Sequence, residues 1–173
     1  MDPLQTPLLV FGTCSEADFP EYERYFNETY RAGPVFDRFG RRVIITPDRA
    51  HHVCFANPRH NEQKVKSRPV WREDRAQRMP WIMVAFTHST CLLKENKEPG
   101  MWNYLIRMQI IHPVMDREYY MVVVEPRKKG EEVRFVSAYK IGDHEWQNAM
   151  KRKSVPWPRI KREAEGTEPP ASR

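Results

Sequence analysis

Tyr119-Tyr120-Met121-Val122-Val123-Val124 is apolar at every position, so neither face of an extended strand built from it is suited to water. This marks a central strand, which the flanking residues extend from Arg117 to Glu125. Three more short β-rich runs surround it: Thr90 to Lys94, Met101 to Ile111 and Val133 to Ile141. Turn formers separate them, namely Glu98-Pro99-Gly100, His112-Pro113 and Lys128-Lys129-Gly130. Connections this short join antiparallel neighbours, so a four-stranded antiparallel meander is expected.

Upstream, Ala76, Met79, Ile82, Met83 and Phe86 recur at helical spacing, with Pro80 predicting a kink or a helix that starts near Met79. Thr46-Pro47-Asp48 is a good helix start, and that helix is expected from Pro47 to about Ala56, before Pro58. Residues 57 to 70 lack periodicity and read as a basic loop. Residues 15 to 31 begin with a capping Ser and place Phe19, Tyr22, Tyr25, Phe26 and Tyr30 near helical spacing, ended by Gly33-Pro34. An acidic helix repels phosphate, so these aromatics read as packing groups and not as a base-stacking platform. The fold class is α+β, with N-terminal helices packed on the sheet.

A chain of 173 residues with 40% hydrophobic content suits one sizeable core. No run of 18 apolar residues and no secretory leader pattern is present, and three widely spaced cysteines do not form a disulfide framework. A cytoplasmic, reducing setting without membrane contact is expected. The net charge of +6 is unevenly spread: −4 over residues 1–40, +6 over 41–80, zero over 81–150 and +4 over 151–173. This divides the chain into an acidic helical extension (1–40), an α+β domain (41–150) and a basic tail expected to be disordered (151–173). A basic middle beside a neutral sheet fits a polyanion, with phosphate backbones the commonest partner and solubility the plainer alternative.

Histidine titrates near neutrality, so His51 and His52 on the short helix and His60 in the loop are candidates for proton transfer. Simple alternation puts Phe135, Ser137 and Tyr139 on one face of the last strand, opposite Arg134, Val136, Ala138 and Lys140. It likewise puts Asn103, Leu105, Arg107 and Gln109 opposite Trp102, Tyr104, Ile106, Met108 and Ile110. Arg107 is then placed to hold a phosphate through two oxygens, while Tyr104 falls on the core side. Arg75 and Arg78, one helical turn apart, either bind phosphate or solubilise the helix. His51, His52, Cys54 and His60 match no zinc-finger spacing, and adjacent helical histidines diverge by about 100°. Gly-rich phosphate loops, His-Glu-x-x-His and nucleophile elbows are absent, and no cofactor is implied.

The order of Ile45-Thr46-Pro47-Asp48-Arg49-Ala50-His51-His52-Val53, Arg75-Ala76-Gln77-Arg78-Met79-Pro80-Trp81-Ile82, Tyr120-Met121-Val122-Val123-Val124 and Phe135-Val136-Ser137-Ala138-Tyr139 resembles phage-associated nuclease domains. These belong to the barnase, EndoU, colicin and RelE-like superfamily (BECR fold), and the likeness covers residues 43 to 141. It implies a metal-independent endoribonuclease, of a kind used as a toxin, that cleaves by 2′-hydroxyl attack. Carried over, His52 matches the helix histidine, Arg75 and Arg78 the arginines before the Trp-Ile pair, and Ser137 and Tyr139 the terminal Thr and Tyr. Joined to the strand-face reading of Arg107, this makes His52 the acid or base, Arg107 or Arg78 the charge stabiliser, and Ser137 and Tyr139 the hydrogen-bonding partners, with Tyr139 an alternative proton carrier. Arg75, Arg78, Tyr104, His51 and His60 join the substrate-binding set. RNA is the implied partner, with a neutralising immunity or antitoxin protein and delivery into a target cell as extensions of the toxin reading. The alternatives are a non-catalytic nucleic-acid or protein-binding module and a phage structural or accessory protein.

Overall fold

A computed structural model describes residues 3–56, 69–112 and 114–155. Its frame is the pair of long strands β6 (Trp102–His112) and β7 (Val114–Arg127), followed by β8 (Glu132–Ile141). Short β5 (Leu92–Glu95) flanks β6, and the segments β1 (Val35–Phe36) and β2 (Arg42–Ile44) lie beyond β8. The order β1-β2-β8-β7-β6-β5 gives six strands in place of the expected four. The four expected strands are present and antiparallel, but β2 joins β8 in parallel through Arg42↔Glu132, Val43↔Val133 and Ile44↔Arg134. A parallel partner so distant in sequence has no turn to announce it, and three residues are too few to show alternation.

Helices α1 (Phe19–Tyr30), α2 (Arg49–Cys54), α3 (Glu73–Ala76) and α4 (Trp81–Thr87) precede β5, and α5 (Asp143–Met150) follows β8. α1 opens after a single 3-10 turn, where the Ser15 backbone N–H donates to Asp18 Oδ2 at 2.9 Å. Its aromatic stripe is core: Tyr22, Phe26 and Tyr30 are buried, and each such side chain contributes roughly 1.5–3 kcal/mol through burial. Tyr30 also donates its hydroxyl to the Met79 carbonyl at 2.5 Å. Leu9 N–H reaches the Gln77 carbonyl at 2.8 Å and Trp81 Nε1 the Thr6 carbonyl at 2.9 Å. The acidic segment read as an extension therefore shares the core of residues 41–150 and supplies strand β1 to its sheet.

α2 is shorter than expected, because Phe55–Ala56 leave it as strand β3 and pair with β4 (Val70–Trp71), whose first residue closes the stretch expected to be loop. The helix expected from Arg72 onward divides at Pro80. Tight turns, with Met79 N–H on the Ala76 carbonyl and Trp81 N–H on the Arg78 carbonyl, carry the chain from α3 into α4. Proline lacks an N–H and favours a helix start, so the ladder restarts there.

The sheet has two unlike faces. Tyr104, Ile106 and Met108 of β6 with Tyr120, Val122 and Val124 of β7 join the main core beneath α1 to α4. Leu105, Met121, Val123 and Ile141 form a smaller cluster on the other face, closed by Ala149 and Trp146 of α5. Trp146 stacks on Tyr119 with centroids 4.4 Å apart.

Two ion-pair groups sit inside the main core. Arg41 Nε donates to Asp37 Oδ2 at 2.8 Å, Tyr104 donates its hydroxyl to the same oxygen, and the Arg41 guanidinium lies over the rings of Phe39 (4.7 Å) and Trp102 (5.2 Å). Arg78 forms a two-pronged pair with Glu118, Nε to Oε2 at 2.6 Å and Nη2 to Oε1 at 2.8 Å, while Lys140 donates to Oε1 at 2.7 Å. Near residue 151 the chain does not become free. Lys153 to Val155 run along the outer edge of β5, with Glu95 N–H on the Lys153 carbonyl and Val155 N–H on the Leu93 carbonyl. The remainder of the expected tail, residues 156–173, lies outside the described residues.

Candidate functional site

β2 covers the edge of β8 only as far as Arg134. Further along, α2 and α3 pack against that strand. The register also shifts there: Val123 faces Ser137, but the next residue, Val124, faces Phe135, which makes Val136 an extra residue in the strand. This bulge overturns the simple alternation expected for β8. Phe135 and Ala138 both face the main core, whereas Ser137 and Tyr139 face the α5 side with Val123 and Met121.

The bulge is held by α2. Arg49 Nη1 donates to the Val136 carbonyl at 3.2 Å, and its Nε donates to Thr46 Oγ1, also at 3.2 Å. The Thr46 hydroxyl donates to Asp48 Oδ1. One turn along the helix, His52 Nε2 lies 3.2 Å from Asp48 Oδ2, with the imidazole 54% exposed. The Thr46 hydrogen bond is the largest influence on the Asp48 carboxyl and, together with the Arg49 charge, outweighs desolvation and holds it below its ordinary pKa. Asp48 therefore stays ionised and keeps one imidazole nitrogen occupied, leaving the other for proton transfer. From α3, the Arg75 guanidinium lies over the Tyr139 ring, 5.0 Å from its centroid. Burial pulls the pKa of Arg75 down, and its buried Nε has no hydrogen-bond partner.

The two adjacent histidines are separated by this geometry. The His51 ring stacks on Phe55 at 4.3 Å and meets Phe19 edge-on at 5.9 Å, so it belongs to the aromatic packing. Only His52 joins the Asp48 and Arg49 network. Cys54 is fully buried behind them, so the His-Cys group of α2 does not converge on one ion, and His60 lies outside the described residues.

Two members of the expected substrate set are internal. Arg78 is 6% exposed and engaged with Glu118, and Tyr104 is fully buried on Asp37, as its place on the core side of β6 implied. Arg107 is exposed on the same face as Ser137 and Tyr139 but in another row of the sheet, opposite Tyr119 of the Trp146 stack. Arg49 and Asp48 carry the network and were missed, although both lie in the quoted Thr46-Pro47-Asp48-Arg49 stretch. Their signal is that a helix-start carboxylate lies one turn before a histidine.

Tyr139 also borders a second feature. The α5 face of the sheet and α5 itself enclose a cleft of ≈ 350 Å³, lined by Asn103, Met121 and Tyr139 from the strands and by His144, Asn148 and Arg152 from α5 and its end. Among the described residues no helix is long and apolar enough to cross a membrane, and no three His, Cys, Asp or Glu side chains gather as metal ligands.

Comparison of the chain with protein-family models, curated proteins and solved structures returns no match. The likeness to BECR-type nucleases thus rests on the motifs quoted above.

Proposed function

We propose that the protein is a metal-independent endoribonuclease whose site lies where α2 and α3 meet the bulged edge of β8. The observation that carries this reading is that α2, with its carboxylate-oriented histidine His52 on Asp48, and α3, whose Arg75 covers the Tyr139 phenol of β8, both pack against that one strand. A proton acceptor, a proton donor and nearby cations are the parts that cleavage of RNA by its own 2′-hydroxyl requires.

In this mechanism His52 takes the proton from the 2′-hydroxyl as that oxygen attacks the adjacent phosphorus. The bond from phosphorus to the 5′-oxygen breaks, and that oxygen takes a proton from Tyr139. The products are a 2′,3′-cyclic phosphate and a 5′-hydroxyl. Arg75 balances the phenolate left behind, and Arg49 and Arg75 oppose the charge that builds on the phosphoryl oxygens. Arg75 and Arg49 thereby replace Arg78 and Arg107 as the supporting cations, and Ser137 remains a hydrogen-bonding neighbour on the strand. DNA, lacking the 2′-hydroxyl, is not cleaved by this route.

Incubation of the full chain with total RNA in EDTA tests the proposal. Fragments ending in 2′,3′-cyclic phosphate are expected, with cleavage lowered by about 10²-fold or more in His52→Ala and Tyr139→Phe. Cleavage that vanishes in EDTA, or that survives both substitutions, overturns it.

A further inference from the structure

The cleft beneath α5 is built largely from groups that the proposed chemistry does not use. Lys97, in the turn between β5 and β6, and Arg152, just past α5, bring two cations to it, and Glu145 is the one carboxylate among its described lining residues. Asn103 is a buried polar group in the wall, 3% exposed, and Asn96 Nδ2 donates to its Oδ1 at 2.6 Å, which fixes both amides. On the opposite side Asn148 lies within 3.4 Å of the His144 ring. Tyr139 also lines the cleft, and its ring neighbour Arg75 belongs to the β8 edge.

We infer that this cleft is a nucleotide-binding subsite for single-stranded RNA. Its volume falls at the lower end of the roughly 300–1,000 Å³ of small-molecule clefts, a size suited to one nucleotide and not to a folded partner's surface. Lys97 and Arg152 hold a phosphate, the asparagine amides offer both donors and acceptors to a base edge, and the rings of Tyr139 and His144 give it flanking surface. A duplex does not enter, because only an unpaired base presents its edge to a pocket of this kind. The identification of the strand as RNA rests on the ribonuclease reading; the binding itself does not.

The test uses the full chain carrying His52→Ala, in which RNA stays intact, and a labelled single-stranded RNA oligonucleotide read by fluorescence anisotropy across a salt series. Adding Lys97→Gln and Arg152→Gln, both at exposed positions, is expected to weaken binding by about tenfold or more and to flatten the dependence of log K on log salt by about 0.7 per lost phosphate contact. Arg107→Gln, an exposed cation on the same sheet face outside the cleft, is expected to change affinity by less than about twofold. Unchanged affinity in the double variant, equal losses in it and in Arg107→Gln, or equal affinity for a duplex of the same sequence overturns the subsite. A wild-type chain that binds in this pattern without cutting RNA retires the nuclease proposal and leaves the subsite standing.

Discussion

The same kinds of side chain are used in opposite ways on the two sides of this molecule. In the main core, Asp37 with Arg41 and Arg78 with Glu118 are enclosed, and each carboxylate has several donors: Asp37 accepts from the backbone N–H groups of Phe39 and Arg41 as well as from Arg41 and Tyr104 side chains. At the β8 edge, Asp48, Arg49 and His52 form a comparable chain of contacts, but the imidazole is half in water. Enclosed pairs lock an architecture, since removing one partner strands a charge in a poor dielectric. An exposed pair contributes little to stability and keeps a titratable group accessible for chemistry.

The largest effect that sharpens this contrast is expected for Arg41→Met. It leaves the Asp37 carboxylate buried without its cation, a loss of about 3–5 kcal/mol by urea unfolding. A loss below about 1 kcal/mol in that experiment breaks the contrast at its strongest point. Arg78→Ala is expected to cost less than Arg41→Met, because Lys140 still reaches Glu118 at 2.7 Å.

Glu118 also predicts a pH response. Burial raises its pKa, but the hydrogen bonds from Arg78 and then Lys140 outweigh that, and the net shift is downward from 4.5. A carboxyl with a depressed folded pKa stabilises the protein above its unfolded value and loses that contribution as pH falls through the folded one. Stability should therefore drop on acidification below about pH 4.5, and less steeply in Arg78→Ala; parallel curves for the two chains contradict the assignment. The smallest effect is expected for His52→Ala, within about 0.5 kcal/mol of wild type, since its ring is exposed and its partner pair lies at the surface. A loss of several kcal/mol there makes His52 a structural group and removes it from the proposed chemistry.

Much of this organisation was legible in the residues themselves. The doubly apolar run around Val122 located the centre of the sheet, and the alternation of β6 sorted Tyr104 from Arg107 correctly, because both are long strands with a regular pleat. β8 misled for a local reason. One extra residue at Val136 reverses the pleat between Phe135 and Ser137, and a bulge of this kind carries no compositional mark. Arg78 reads as a surface cation because its place beside α3 does not reveal Glu118, which reaches it from β7. The four-strand expectation failed at β1 and β2, where segments of two and three residues are too short for β-branched and aromatic residues to announce a strand without knowledge of their partners. The acidic charge of residues 1–40 suggested separateness, whereas the buried faces of Tyr22, Phe26 and Tyr30 decide where that segment resides.

The parallel contact between β2 and β8 also bears on the order in which the molecule assembles. Strands β5 to β8 are joined by short connections and can zip as neighbours, but β2 must wait, exposed, until the distant Glu132–Arg134 stretch exists to receive it. During synthesis the early helices and β2 emerge first without their docking surface. The α2 network beside β2 would then take shape only once β8 is in place, so the edge where the proposed site lies is among the last parts of the fold to be completed.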